Sequence, residues 1–107
     1  MTSGLTGFFE FTALDTNEVS ASYTANAAGT HSFLLSTAFT AGDVQQRVNG
    51  GAWVTLISAG NTSGSIAGVS VSDTIEVRHT STDANALKQL TMTAPGAGTD
   101  AFAVLFT

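Results

Sequence analysis

The stretch VSVSDTIEVRHTS, Val69 to Ser81, decides the fold of this chain. Apolar and polar residues alternate along it with a period of two, the pattern of a β-strand that buries one face. The residues predicted to face the core are Val69, Val71, Ile75, Val77 and His79. The segment therefore predicts a half-buried strand and not a catalytic loop, although it concentrates much of the chain's charge.

Each charged residue of this stretch has a structural interpretation. Asp73 follows the pair Val71-Ser72 where a turn passes into a strand, so its carboxylate is expected to cap free backbone N–H groups. Glu76 and Arg78 share the outward face two residues apart. We expect them to pair with each other or with a neighbouring strand.

The same alternation recurs along the rest of the chain. The other predicted strands are GFFEFTA (7–13), EVSASYTA (18–25), HSFLLSTAFT (31–40), DVQQRV (43–48), AWVTLI (52–57), LKQLTMT (87–93) and DAFAVLFT (100–107). Val19 and Ala21 are predicted to face inward in the second segment, and Thr37 in the third. About seven or eight short strands predict an all-β protein, a single antiparallel β-sandwich domain over residues 1–107.

Turn residues separate these segments. Asn49-Gly50 lies between two alternating runs and predicts a tight hairpin, because both positions of such a turn need positive φ. The predicted loops are 41–43, 59–65, 81–86 and 94–100. The single proline, Pro95, falls in the last of these, where no strand loses a hydrogen-bond donor.

Composition excludes several classes of function. Charged residues make up 10% of the chain, against about 25% in typical soluble domains. The net charge is −5, and the only fixed cations are Arg47, Arg78 and Lys88, which argues against nucleic-acid binding and against attraction to an anionic membrane. No apolar run reaches the roughly 18 residues of a membrane span. The chain has no cysteine, which excludes disulfides and thiolate chemistry.

Candidate catalytic and metal-binding groups are sparse. His31 and His79, with a carboxylate such as Glu76, could in principle ligate zinc or iron, but no short ligand spacing such as HxH occurs. We interpret both histidines as strand residues and predict no metal, no cofactor and no catalytic residue. The eleven or so serines include no GxSxG elbow. Trp53 follows a hairpin and is either a sugar-stacking platform or a core or interface anchor.

Four segments carry a resemblance to a known module. They are VNGGAWVT, GVSVSDTIEVRHTS, QLTMTAPG and FAVLFT, all within Val48–Thr107. In this pattern the chain resembles an Ig-like β-sandwich module of tailed-phage virion proteins and bacterial surface proteins. The sequence departs from the pattern at Ser72, where the module prefers glycine, and at the insertion LISAGNTSGSIA.

The resemblance implies a non-enzymatic structural protein of a tailed-phage virion, made in the host cytoplasm. A capsid decoration (cement) protein that binds the major capsid protein in many copies is the leading expectation, either as a homo-oligomer or as copies on the lattice. The alternative is a tail, fibre or baseplate accessory that binds host-surface carbohydrate or other tail proteins. The candidate interface residues are Phe8, Leu34, Trp53, Leu105, Glu76 and Arg78.

Overall fold

The computed structural model describes residues 8–9, 12–82, 87–96 and 101–107 as a two-layer β-sandwich. The strands are β1 (Phe8–Phe9), β2 (Tyr23–Thr24), β3 (Gly29–Leu35), β4 (Asp43–Val48), β5 (Val54–Ser58), β6 (Ser63–Val69), β7 (Thr74–His79), β8 (Lys88–Thr93) and β9 (Ala101–Phe106). The predicted all-β sandwich is confirmed. The described residues contain no helix long and apolar enough to cross a membrane.

Eight of the strands form two four-stranded antiparallel sheets. The first sheet has the order β9-β8-β3-β6, and the two-residue β1 joins β9 in parallel at its margin. The second sheet has the order β2-β7-β4-β5. In the first sheet β3 pairs with both β6 and β8, in the second β7 pairs with both β4 and β2, and the β8–β9 hairpin belongs to the sheet of β3.

The core lies between the two inner faces and follows the alternation of the sequence. Its fully buried apolar side chains include Val44, Ile75, Val77, Leu90, Phe102, Val104 and Phe106. Phe102 sits at the centre, with the rings of Tyr23 and Phe33 edge-on to it at centroid distances of 5.6 and 5.9 Å. Edge-to-face aromatic packing adds to the free energy of burial. The predicted inward positions of β7, β8 and β9 are therefore confirmed.

Asp73 ties together three connections at one end of the sandwich. Its Oδ2 accepts the N–H of Ser70 at 2.8 Å and its Oδ1 accepts the side-chain amide of Asn49 at 2.9 Å. Its backbone carbonyl accepts the N–H of Ala25, and the Asn49 side-chain oxygen accepts the N–H of Thr74. The pKa of Asp73 is held below its usual value because the Asn49 amide and the Ser70 N–H stabilise the carboxylate. The predicted capping role is confirmed.

The hairpin turn and the turn before β7 both use left-handed backbone. Asn49 and Gly50 have φ of 53° and 71°, and Gly51 donates its N–H to Val48 at 3.0 Å, so the predicted Asn-Gly turn is confirmed. Ser72 has φ of 79°, a conformation that favours glycine. The preference of the resembling module for glycine at this position thus has a direct conformational reason.

The two sheets contact each other at one edge, where β5 of the second sheet packs against β6 of the first. A bulge in β5 sets Val44 opposite Ile57 and Gln45 opposite Thr55, so that Leu56 is the extra residue. Leu56 and Ile57 are consequently both buried, although they are adjacent. A Cβ on Gly64 of β6 would lie 2.1 Å from the Leu56 carbonyl oxygen. Only glycine therefore allows this approach of the two backbones.

Four residues that alternation predicts to face inward are exposed. Val19 is 40% exposed and Ala21 is exposed, whereas Ser20 is buried and its hydroxyl accepts the N–H of Val77. The cause is irregular pairing: Asn17 and Ser20, three residues apart, bond to carbonyls only two residues apart on β7. Val71 is 56% exposed because it lies in the turn before β7, and Thr37 is exposed because β3 ends at Leu35.

The predicted loops are confirmed only in part. The loop at 59–65 is shorter than expected, because β6 already begins at Ser63. The turn before Asp43 and the break after Thr93 are confirmed. The predicted positions 83–86 and 97–100, together with Gly7, Glu10 and Phe11 of the first predicted strand, lie outside the described residues.

Replacing Ser72 with glycine should stabilise the protein. The left-handed conformation costs a non-glycine residue about 1–2 kcal/mol. Glycine removes this cost, but its greater conformational entropy in the unfolded state offsets part of the gain. We expect the free energy of unfolding to rise by about 0.5–1 kcal/mol in urea denaturation. Ser70→Gly is the matched control, because Ser70 has ordinary φ, and it should destabilise. Equal effects of the two substitutions would contradict this explanation.

Gly64→Ala should destabilise strongly, by about 3 kcal/mol, because the added methyl meets backbone that a rotamer change cannot move. Ser65→Ala, on the outward side of the same strand, should change the free energy of unfolding by less than about 0.5 kcal/mol. Thermal and urea unfolding of both variants measure the difference. A Gly64→Ala protein as stable as the wild type would show that β5 and β6 do not approach this closely.

Candidate functional site

The outward side of the second sheet carries a tryptophan whose ring contacts two arginines. Trp53 immediately precedes β5, and its ring lies 4.6 Å from the guanidinium carbon of Arg47 on β4 and 4.3 Å from that of Arg78 on β7. Both distances are within the range of cation–π contact. We call this surface the Trp53 face and define it by Gln45, Arg47, Trp53, Glu76 and Arg78.

Strand register brings these side chains together. Arg47 is directly opposite Glu76, and Gln45 is directly opposite Arg78. The Arg47 Nε donates to Glu76 Oε1 at 2.7 Å, and the Arg78 Nε donates to Gln45 Oε1 at 2.8 Å. The expectation that Glu76 and Arg78 pair with a neighbouring strand is confirmed. Each guanidinium is thus fixed by a cross-strand partner on one side and the indole on another.

The Trp53 face holds two of the chain's three lysine and arginine residues. The third, Lys88, is buried, with its Nζ 5.1 Å from the centroid of the Phe39 ring. Glu76 compensates the charge of Arg47, whereas the side-chain partner of Arg78 is the neutral Gln45. The face therefore combines an aromatic ring with one ion-paired arginine and one arginine whose hydrogen-bond partner is neutral.

Asp43 is the first residue of β4 and lies near the Trp53 face. Its Oδ2 accepts the Thr55 hydroxyl at 2.6 Å and its Oδ1 accepts the Thr80 hydroxyl at 2.7 Å. Burial alone would raise the pKa of Asp43, but these hydrogen bonds, with Gln45 and the charge of Arg78, bring its pKa below the usual 3.8. The carboxylate form is thus favoured on this surface.

The six candidate interface residues do not form one surface. Trp53, Glu76 and Arg78 lie on the Trp53 face. Leu34, 58% exposed on β3, and the half-buried Leu105 on β9 lie on the outward face of the first sheet, on the opposite side of the sandwich. Phe8 belongs to β1, and its side chain lies outside the described residues.

Both histidines are buried between the sheets. His79 donates from Nε2 to the Leu14 carbonyl at 3.0 Å and accepts the Ser81 N–H at Nδ1, at 3.2 Å. Because the backbone N–H can only donate, these bonds assign the hydrogen to Nε2. Phe39 stacks on the same ring at a centroid distance of 5.0 Å. These contacts make His79 a structural link between β7 and the segment around Leu14.

The histidines do not converge with the carboxylate considered as their partner. His31 is on β3 of the first sheet, and its Nδ1 lies 3.2 Å from the Gly29 carbonyl. Glu76 is on the outward face of β7, whereas His79 of the same strand points inward. Within the described ranges, no group of three or more histidine, aspartate or glutamate side chains could hold a metal ion.

Sequence reasoning missed Arg47 and Gln45 as members of the site. The register pairs Gln46 with Val54, which sets Arg47 across from Trp53 one step closer to the turn. Counting outward from the Asn49-Gly50 hairpin would have placed these two side chains near each other. The contact with Arg78 needed the pairing of β4 with β7, which no local pattern specifies.

Comparisons of the chain with protein families, with curated proteins and with solved structures find no match. The Trp53 face is therefore interpreted from its own geometry.

Removing the Thr55 hydroxyl should raise the pKa of Asp43 towards 3.8, because the carboxylate loses a hydrogen-bond donor. Since the folded-state pKa is depressed, the stabilisation from Asp43 is complete above pH 3.8 and is lost as pH falls through the folded pKa. Thr55→Val should weaken that pH dependence. NMR titration of the Asp43 carboxyl measures the shift, with Thr93→Val in the first sheet as control. An unchanged Asp43 titration in Thr55→Val would contradict the assignment.

Proposed function

We propose that this protein is a non-enzymatic structural component of a tailed-phage virion, a capsid decoration protein that docks on the major capsid protein through its Trp53 face. The observation that carries the proposal is the contact of Trp53 with both Arg47 and Arg78 on a sheet surface. Tryptophan and arginine are the residues most enriched among those that dominate the free energy of protein–protein binding.

The fixed geometry of the cluster supports a docking role. Arg47 and Arg78 are each held by a cross-strand hydrogen bond of less than 3 Å, so little side-chain entropy remains to be lost on binding. The side chains project from paired strands and not from a loop. A rigid, preorganised surface of this kind suits a protein partner.

The charge distribution also supports docking on a lattice. Because only 10% of its residues are charged, few charged side chains would lose their hydration where neighbouring copies contact one another on a particle. The strand orders β2-β7-β4-β5 and β8-β3-β6 are those of a jelly roll, an architecture found in viral capsid and lectin domains. That likeness is one of topology alone, and a fold hosts many functions.

The second candidate is a tail accessory that binds host-surface carbohydrate, and Trp53 also favours this role. An indole beside hydrogen-bonding side chains is a platform on which a sugar ring can stack, and Gln45 and Arg78 provide such side chains. We favour the capsid proposal because the guanidinium groups of Arg47 and Arg78 already lie against the Trp53 ring, where a sugar ring would have to stack. A glycan array probes the second candidate directly.

The test is cosedimentation of the purified protein with empty capsids assembled from the major capsid protein of the same genome. The wild type should bind and raise the capsid melting temperature. Trp53→Ala should weaken binding about 30-fold or more, the effect of truncating a dominant interface residue. Val54→Ala is the matched control, because Val54 is exposed and adjacent but projects from the other side of the strand.

The outcomes separate the two candidates. Binding to capsids that Val54→Ala retains and Trp53→Ala loses supports the capsid role. Binding to glycans, lost in Trp53→Ala, with no binding to capsids, replaces it with the carbohydrate role. Absence of binding to capsids, tail complexes and glycans would overturn the proposal.

A further inference from the structure

The two sides of the sandwich differ in how their sheet edges end. On one side the outermost strands are β1 and β2, each only two residues long. Beside β2, the irregular segment 15–20 runs along β7 and carries Asp15 and Glu18. Short strands, irregular pairing and charge are devices by which proteins prevent edge-to-edge association.

The other side has bulges but neither short strands nor charge: the β4–β5 pairing shifts at Leu56 and the β3–β6 pairing shifts between Gly29 and His31, whereas residues 63–66 pair regularly with β3. Its outermost strands are β5, of five residues, and β6, of seven. Neither contains a proline or a charged residue, and the sequence from Val48 to Ser72 has no Asp, Glu, Lys, Arg or His. A long, uncharged edge strand is a template for pairing with another strand.

The backbone of β6 shows which groups are free to pair. Leu35 donates its N–H to the Thr62 carbonyl, so Thr62 and Gly64 direct their backbone groups towards β3. By the alternation of an antiparallel ladder, Ser63 and Ser65 direct their N–H and C=O groups away from β3, off the free edge. Both residues are exposed. A second strand could therefore hydrogen-bond at these two positions.

Charge favours a second copy of this chain as the occupant. Two molecules of net charge −5 repel each other, and the repulsion is weakest where both present surfaces without carboxylates. The β6 edge is such a surface, since neither β6 nor the neighbouring β3 carries a carboxylate, whereas Asp43, which accepts the Thr55 hydroxyl of β5, belongs to the second sheet. An antiparallel pair of identical strands also satisfies twofold symmetry, the commonest arrangement of homodimers.

We propose that two copies associate through β6, antiparallel across a twofold axis at Gly64, to join their first sheets into one continuous sheet. Ser63 of each copy then lies opposite Ser65 of the other, and each such pair exchanges two backbone hydrogen bonds. The interface uses the edge of the first sheet, whereas the Trp53 face is the outward surface of the second sheet, and the inference does not rest on the proposed virion role. The interface leaves the Trp53 face free for another partner.

Sedimentation velocity across a range of protein concentrations tests the proposal. The wild type should associate into dimers, and Ser65→Pro should raise the dimer dissociation constant about tenfold or more, since the imide removes a donor from each copy. The β3 ladder does not use that N–H, so the fold should survive. Ser65→Lys is a second variant that places like charges at the interface. Thr93→Lys is its control, because Thr93 is an exposed strand residue away from the edge.

Cysteine cross-linking tests the register. The chain has no cysteine, so Ser63→Cys and Ser65→Cys each introduce a single thiol. Directly opposed hydrogen-bonded residues have Cα atoms about 5.5 Å apart, within disulfide range. A mixture of the two variants should cross-link under mild oxidation much more than either variant alone.

Several results would overturn the proposal. One is a wild type that stays monomeric up to about 1 mM, a concentration at which even weak dimers form. Another is a dimer that Ser65→Pro and Ser65→Lys leave intact, or that Thr93→Lys disrupts equally. Cross-linking of Ser65→Cys with itself in preference to the mixture would exclude the Gly64 axis and require a different register.

Discussion

The rest of this structure depends on two hydrogen bonds of the Asn49 side chain, which donates to the Asp73 carboxylate and accepts the backbone N–H of Thr74. They join the β4–β5 hairpin to the turn that begins β7, and the Asp73 carbonyl adds the β2–β3 connection through Ala25. Three separate loops are thereby held at one end of the sandwich. With that end fixed, the ladder between β4 and β7 has a defined register, and the inward faces of both strands meet the first sheet. Without these hydrogen bonds, the alternation of buried and outward residues would still allow β4 and β7 to pair with their register shifted by two residues.

The Trp53 face is a consequence of the same register. Arg47 lies opposite Glu76 only because Val48 lies opposite Ile75, next to the joined turns. The loop that Asn49 and Gly50 start then returns the chain so that Trp53 reaches back over β4 and β7. The residues of the Trp53 face are thus positioned by turn residues that lie outside this face. A change at the turns would be expected to alter the face before it altered the core.

The alternation of the sequence predicted the architecture, and its failures have local causes. Ile75, Val77, Leu90 and Phe102 are buried where period two places them, because each belongs to a strand paired on both sides. Val19 and Val71 are not, because pairing there is irregular or replaced by a turn. The site was predictable only in part. Trp53, Glu76 and Arg78 could be selected as outward residues, but their contact with Arg47 depends on a non-local strand pair that propensity does not encode.

The order of the strands also determines how the chain must assemble. Apart from the β4–β5 and β8–β9 hairpins, each connection from β2 onwards passes from one sheet to the other. Leu34 and Thr91, neighbours across β3 and β8, are 57 residues apart in the chain. Neither sheet can therefore grow strand by strand as the polypeptide is extended, and most native contacts have to form together after large loops have closed. Topologies of this kind fold slowly and in one cooperative step, with the β4–β5 and β8–β9 hairpins as the parts whose strands follow each other directly in the chain.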